Sequence, residues 1–392
     1  MDKTLPNIDS LFAHPLLSGP KTIVVGMSGG VDSSVTALLL KEHGYNVIGM
    51  FMKNWEEEID GVCPATQEYE DVVKVAHKLQ IPYYPVNFSK EYKEQVFSDF
   101  LTELEKGNTP NPDILCNREI KFKLLLETAQ KLGAHGLATG HYAQNIYANG
   151  KYELTKSVDT AKDQTYFIYT LNQSILSKVL FPIGSLPKGI VRKIAKEHDL
   201  AVAEKKDSTG ICFIGERNFR EFLSKHIGYK PGTFRTLDGK TVGKHQGVAY
   251  YTIGQRKGLA IGGAGEAWFV VGKTVGENIV WVVQGANHPA LFADELTAHT
   301  PSWVADEPPG PLPFHCHAKI RYRQPDQPCV IESIDNGKLF VRFKVPQRAI
   351  TTQQSIVFYK DNVALGGAII DKPGPSYHTM KKPVDFGLVL DQ

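Results

Sequence analysis

A glycine- and serine-rich junction between a strand-like run and a helix-like run constrains this chain more than any other feature. It reads Gly26-Met27-Ser28-Gly29-Gly30-Val31-Asp32-Ser33-Ser34. The β-branched run 22–27 leads into it, and residues 33–43, with helical periodicity, follow and stop at Gly44. Glycines let the backbone turn tightly and approach an anion, while N–H groups and hydroxyls at a helix start receive phosphate oxygens. The same rhythm continues downstream. Residues 46–52, 83–87 and 135–139 read as strands, and 66–79, 92–105, 117–132, 173–180 and 188–198 as helices. Such β-α alternation predicts an α/β domain with a parallel sheet covered on both faces.

After about Phe219 the helical pattern gives way to short alternating runs at 248–253, 268–271 and 279–283. A proline-rich stretch, 307–313, reads as a joint before further strands at 316–322, 330–334, 339–343 and 355–359. The expected division is an extension over 1–20, an α/β domain over 21–217, a small β-rich central domain over 218–295 and a C-terminal β-barrel over 296–392. A chain of 392 residues has the length for two or three cores. The apolar runs are strand-length, far too short for a bilayer, and the first residues carry no sustained apolar segment of a signal peptide. A membrane is therefore not an expected partner.

The formal charge of +2 neither announces nor excludes a nucleic acid, because local basic clusters do the steering. Such clusters occur at Arg118, Lys121 and Lys123, at Lys205 and Lys206, and at Arg321 and Arg323. The five cysteines, Cys63, Cys116, Cys212, Cys316 and Cys329, include no C-x-x-C pair, which argues against a zinc ribbon. Their odd number points to a reducing, cytoplasmic setting. Cys116 lies in Asn111-Pro112-Asp113-Ile114-Leu115-Cys116-Asn117, just before a helical stretch with Arg118 and Lys121 close behind. A helix start and nearby cations favour thiolate, and Asp113 is near enough to carry a proton; a buried, inert thiol is the other reading. Cys212, in Asp207-Ser208-Thr209-Gly210-Ile211-Cys212-Phe213, leaves the same two readings open.

The glycine-rich loop lacks the Lys-Ser/Thr ending of a Walker loop, so γ-phosphate transfer is not the expected chemistry. It resembles instead the SGGxDS pyrophosphate loop of the ATP pyrophosphatase (PP-loop, HUP-like) superfamily, whose members cleave ATP to AMP and pyrophosphate. The loop, N-P-D-x-L-C-N and D-S-T-G-I-C-F-I-G, in this order, are similar to those of the tRNA-specific 2-thiouridylases, the MnmA family. The resemblance takes in Gly49-Met50-Phe51-Met52-Lys53-Asn54-Trp55, Ala138-Thr139-Gly140-His141-Tyr142, Lys162-Asp163-Gln164-Thr165-Tyr166, Gly254-Gln255-Arg256-Lys257-Gly258 and Arg321-Tyr322-Arg323-Gln324.

That resemblance implies ATP-dependent 2-thiolation of the wobble uridine, position 34, of tRNAs with Lys, Glu and Gln anticodons. It implies an ATP site at Gly26, Met27, Ser28, Gly29, Gly30, Val31, Asp32, Ser33, Met52 and Gly140, with Asp32 helping to hold Mg²⁺. Asn111, Pro112 and Asp113 would meet the target base. Cys212 would carry sulfur as a persulfide, and Cys116 would free it, leaving a Cys116–Cys212 disulfide. His141, Lys162, Asp163, Gln164, Arg321, Tyr322 and Gln354 would touch tRNA. A cysteine desulfurase or a sulfur-relay carrier would be the donor, and a monomer is expected. Where relatives read T-P-G-Q, this chain reads Thr351-Thr352-Gln353-Gln354, so a different turn is expected there.

Overall fold

The computed structural model describes residues 14–56, 64–207 and 219–384, and every element, count and absence given below is of those residues. Cys63, Cys212 and the motif residues 208–215 lie outside them. The first domain is built on a five-stranded parallel sheet. Its strands are β1 (Thr22–Met27), β2 (Asn46–Lys53), β3 (Tyr83–Asn87), β4 (Gly136–Thr139) and β7 (Val179–Leu180), in the order β3-β2-β1-β4-β7. Residues along β1 alternate between the faces, as a strand requires. Ile23, Val25 and Met27 join a core with α1 (Val31–Glu42), α2 (Pro64–Leu79) and α3 (Lys188–Glu197). Val24 faces the opposite core, formed by Tyr92, Phe97, Ile114, Cys116, Ile120 and Leu125. Both faces are covered, the arrangement parallel sheets need.

Several elements differ from the sequence pattern. The helix expected at 117–132 begins at Pro112, because the Asn111 side chain accepts from the N–H groups of Asp113 and Ile114 and Pro112 occupies the first turn. It widens into i→i+5 turns over Cys116–Leu125 before resuming as Leu126–Lys131. The run 173–180 is a short helix, Gln173–Leu176, and then β7; its apolar end serves the sheet. The run 248–253 is not a strand but holds the tight turn Val248–Tyr250, packed among the central-domain apolar residues.

The central domain carries β8 (Gly232–Arg235), β9 (Thr241–His245), β10 (Trp268–Thr274) and β11 (Ile279–Gln284), ordered β10-β11-β8-β9 over Phe234, Tyr251, Val270 and Val280. The last domain is a closed barrel of β12 (Phe292–Trp303), β13 (Phe314–Lys319), β14 (Gln327–Asp335), β15 (Lys338–Arg348), β16 (Ser355–Lys360) and β17 (Val363–Pro373). Its order is β12-β15-β14-β13-β16-β17, and β17 pairs back onto β12. Closure leaves the barrel without a free edge. The proline-rich stretch 307–313 is accordingly a loop between β12 and β13, not a joint between domains.

A hairpin that the sequence pattern does not mark, β5 (Ala143–Ala148) and β6 (Lys151–Lys156), leaves the first domain and pairs with the barrel through Val363↔Thr155 and Ala364↔Leu154. The Tyr166 hydroxyl donates to Ser355 O at 2.9 Å, and Tyr169 and Ser355 hydroxyls lie 3.1 Å apart. The first and last domains thus share a sheet and a buried polar seam. No helix is long and apolar enough to cross a membrane.

Candidate active site

The glycine-rich loop lies at the carboxyl end of β1, which has β2 on one side and β4 on the other. Strand order reverses there, and open α/β sheets bind ligands at such a point. Gly29 adopts φ +69°, and a Cβ on it would stand 2.5 Å from Glu68 O of α2. Only glycine fits both demands. Gly30 caps α1 without a side chain, so the first N–H groups of the helix are left for an anion. Ser33 Oγ accepts from Ser28 N at 3.1 Å and donates to Gly30 O at 3.2 Å. Ser34 Oγ donates to Gly30 O at 2.8 Å. Gly140, just past β4, packs against α1: a Cβ on it would meet Ser33 N at 2.7 Å. Met52 at the end of β2 is buried beside this floor. The ATP-site residues expected from sequence are therefore gathered at the ends of β1, β2 and β4.

Asp32 is the focus of a charged network. Lys188 Nζ donates to Asp32 Oδ1 at 2.7 Å and Oδ2 at 2.8 Å, and the Tyr142 hydroxyl donates to Oδ1 at 2.9 Å. Lys188, whose side chain is 11% exposed, also pairs with Asp207 Oδ1 at 2.8 Å. Asp207 receives Lys162 at 2.8 Å and Arg192 at 2.7 Å as well. Burial alone would raise the Asp207 pKa, but the hydrogen bonds from Lys162 and Lys188 hold it down at about 2. Burial and the Asp32 charge push the Tyr142 phenol far above its usual range, so it stays a neutral donor. On the other side of the loop, Lys205 Nζ donates to Gly29 O at 3.0 Å and pairs with Asp71 at 2.8 Å. Lys188, Arg192 and Asp71 carry no motif signal in the sequence. They are recruited from α2 and α3 by the fold.

Asn111 and Asp113 are half-buried at the start of the Pro112–Leu115 helix, and Pro112 is buried. Cys116 is fully buried, five residues into the helical run instead of ahead of it, where the helix dipole has faded. The neighbouring Arg118 and Lys123 are engaged with Glu119 at 2.7 and 2.8 Å. Of the two features expected to favour thiolate at Cys116, the helix start lies at Pro112 and not at the cysteine, and Arg118 is paired with Glu119. Of the residues expected to face tRNA, His141 is buried against Phe122 and Phe181, 2.7 Å from Thr139 Oγ1. Burial, aided by Lys121, keeps its imidazole neutral. Asp163 is buried, bonded to Ser157 N at 3.1 Å and the Thr165 hydroxyl at 2.8 Å, and burial raises its pKa. Gln164 Oε1 accepts from Tyr142 N at 2.9 Å. Tyr322 packs its ring 4.4 Å from Phe167. Arg321 Nη2 donates to Ile253 O and Ala349 O, each at 2.9 Å, tying the central domain to the barrel.

The turn 351–354 keeps a geometry that glycine favours. Gln354 N donates to Thr351 O, and Gln353 has φ +64°. That is the pattern of a type II turn, where proline and glycine are the preferred central pair. The expected change of turn does not occur: Thr352 and Gln353 adopt the shape that Pro-Gly encodes. Gln353→Gly is expected to raise stability by roughly 0.5 kcal/mol, since relief of left-handed strain of about 1 kcal/mol is partly offset by a freer unfolded chain. Gln353→Val should lower it by about 1–2 kcal/mol. Denaturant midpoints measure both, and an unchanged midpoint in each would show that the turn carries no strain.

Residues 21–216 match the family model described as tRNA methyl transferase HUP domain. Residues 220–284 match the tRNA methyl transferase PRC-barrel domain, and 293–370 the aminomethyltransferase beta-barrel domain. The chain is 62% identical over 368 residues to the tRNA-specific 2-thiouridylase MnmA of Protochlamydia amoebophila, covering 93% of this chain and 97% of that one. It is 57% identical over 351 residues to the protein of the same name from Exiguobacterium sibiricum, covering 89% and 94%. The Geobacillus thermodenitrificans MnmA is 56% identical with the same coverage.

Proposed function

The chain belongs to the tRNA-specific 2-thiouridylase family, whose reaction on tRNA uridine is its activity, and we propose that it acts on C2 of the wobble uridine, position 34, of tRNAs with Lys, Glu and Gln anticodons. The observation that carries the nucleotide chemistry is the bare α1 N-terminus behind Gly29 and Gly30, flanked by Asp32, Lys188 and Lys205 and without a Walker lysine.

Uracil C2 is a poor electrophile and its oxygen a poor leaving group. Adenylation of that oxygen by ATP expels pyrophosphate and makes AMP the group that leaves. The N–H groups of the loop and the hydroxyls of Ser28 and Ser33 receive phosphate oxygens, with Lys188 and Lys205 as nearby cations. Asp32 suits a hard cation. Both of its oxygens already hold the Lys188 ammonium, and one carboxylate plus substrate phosphates is a usual way to hold Mg²⁺. A bound Mg²⁺ would neutralise charge building on the phosphates.

Asn111, Pro112 and Asp113 receive the base, flipped from the anticodon loop at low cost because that loop is single-stranded. Asp113 moves the proton. Cys212 brings the sulfur as a persulfide, loaded by a cysteine desulfurase or a relay carrier. The outer sulfur bonds to C2 and AMP departs with the former uracil oxygen. Cys116 attacks Cys212 Sγ, breaking its bond to the outer sulfur and leaving a disulfide for an external thiol to reduce. Lys162, Gln164, Arg321, Tyr322 and Gln354 face the tRNA, and we assign buried His141 and Asp163 to holding that surface in shape. The division of labour follows the α/β domain from 21, the central domain from 218 and the barrel, whose boundary moves from 296 to the start of β12 at Phe292, in a cytoplasmic monomer.

The test is product identity. Incubation with ATP, Mg²⁺, sulfide and tRNA is expected to yield AMP and pyrophosphate in step with 2-thiouridine. ADP and phosphate as products would overturn the adenylation reading.

A further inference from the structure

Residues 107–111 join the Ser98–Glu105 helix to the helix that Asn111 caps, and both of the other domains reach this short segment. From the central domain, Lys273 Nζ of β10 donates to Gly107 O at 2.8 Å. From the barrel, Thr352 Oγ1 donates to Asn108 Oδ1 at 3.1 Å, and Gln354 Nε2 donates to Thr109 O at 2.6 Å. Thr109 N in turn donates to Thr352 O at 3.3 Å. The Asn108 amide is held from its other end as well, since Nδ2 donates to Glu103 Oε2 at 2.6 Å.

The segment is stiff. Pro110 and Pro112 are buried and fix φ, and each restricts the residue before it, Thr109 and Asn111. A displacement at Thr109 is therefore passed on to Asn111 instead of being absorbed. Asn111 Oδ1 then holds the N–H groups of Asp113 and Ile114, and Cys116 follows within the same helical run. The position of the whole Asn111–Asp113 turn is thus tied to where the other two domains sit.

Lys273 is costly for a purely structural contact. It is half-buried where the central domain meets residues 107–109, and the desolvation it suffers there lowers its ammonium to about 8. A partly desolvated cation held by one carbonyl is a weak source of stability, and a well-packed apolar side chain of similar length serves packing better. Thr352 occupies a turn position where proline gives the better turn, and it supplies a hydroxyl that proline lacks. Both residues give up local stability for a bond to 107–109.

We propose that Lys273 and Thr352 are positioning residues for thiolation: they register the central domain and the barrel on residues 107–109, so that tRNA held by the barrel meets the Asn111–Asp113 turn at one fixed place. This rests on the reading that the turn receives the target base. A misplacement of about 1 Å at a reacting centre can lower a rate on the order of a hundredfold, so loss of one tie of several is expected to lower kcat about tenfold.

Thr352→Val and Lys273→Met are compared with the full enzyme, using tRNA, ATP, Mg²⁺ and sulfide, with Asn111→Ala as a reference. The expected result is a kcat for 2-thiouridine about tenfold lower in each, with tRNA Kd and ATP KM within about twofold of wild type. Thr352→Ser should restore kcat, and thermal midpoints should show each variant folded at the assay temperature. Unchanged kcat in both variants, with Asn111→Ala inactive, would overturn the registration and leave the base-turn reading standing. A tRNA Kd that weakens in step with kcat would also overturn it, by moving the effect to binding. Full activity in Asn111→Ala would remove the base-turn reading itself, and the proposal with it.

Discussion

Cys212→Ser is expected to form no 2-thiouridine from a persulfide donor and to carry no sulfur adduct in intact-mass spectra. Cys116→Ser is expected to accept the adduct and hold it, with thiolation lowered by more than about a thousandfold. In the proposed mechanism the two thiols do different jobs, so their substitutions should fail at different stages. Delivery needs one nucleophile that receives sulfur, and release needs a second that breaks the bond between that nucleophile and the outer sulfur. The burial of Cys116 suits the protected second thiol that this mechanism needs. Cys116 is fully buried among Ile114, Ile120 and Phe122, at the start of the wide-turned stretch Cys116–Leu125. Buried thiols resist stray oxidants, and wide turns of this kind concentrate at functional sites. For a disulfide to form, the two Cα atoms must come within about 7 Å. Trapping the Cys116–Cys212 bond after a single turnover without reductant is the direct readout. Full thiolation by either serine variant with a persulfide donor would sink the two-thiol mechanism.

The fold was legible where physics is local. The loop from Gly26 to Ser34 announces itself because its glycines and hydroxyls are demanded by one short stretch of backbone. Gly29, with its left-handed φ and its approach to Glu68 O, shows why. The barrel strands were legible from alternation, since one face of each packs inward. The hairpin β5–β6 was not. Strand β6 pairs edge to edge with β17, more than two hundred residues later, and Asn145 Nδ2 reaches Leu176 O and Val179 O outside the hairpin. The helix starts at Pro112, ahead of the apolar periodicity at 117–132, because its first turn is set by the Asn111 cap and the fixed φ of proline and not by an apolar stripe. At 351–354 the loss of Pro-Gly does not change the turn, because the barrel imposes the left-handed residue whether or not glycine is present. In the site, the glycine-rich loop, Met52 and Gly140 lie at the ends of neighbouring strands, but the charged partners of the loop come from helices whose sequence shows only amphipathic spacing.

Lys188→Met should lower AMP formation by about two orders of magnitude, the usual scale for removing one preorganised electrostatic group. Lys188 lies between two carboxylates, bonded to both oxygens of Asp32 and to Asp207. Methionine keeps the stem and removes the charge. Asp207 retains Lys162 and Arg192, whereas Asp32 retains only the Tyr142 hydroxyl among its side-chain partners in the described residues. Asp32 therefore bears the loss. Its carboxylate is partly solvated, so the cost to stability is screened to about 1–2 kcal/mol, below that of breaking a fully buried pair. An unneutralised Asp32 beside the anion-receiving α1 N-terminus repels the phosphates that the loop must hold. ATP KM should therefore rise with the fall in kcat. Free Mg²⁺ should bind the Lys188→Met protein more tightly than wild type by calorimetry, because a metal then competes with no ammonium for Asp32. Activity within threefold of wild type, together with unchanged Mg²⁺ binding, would show that Lys188 only packs beneath the loop and takes no part in holding its charge.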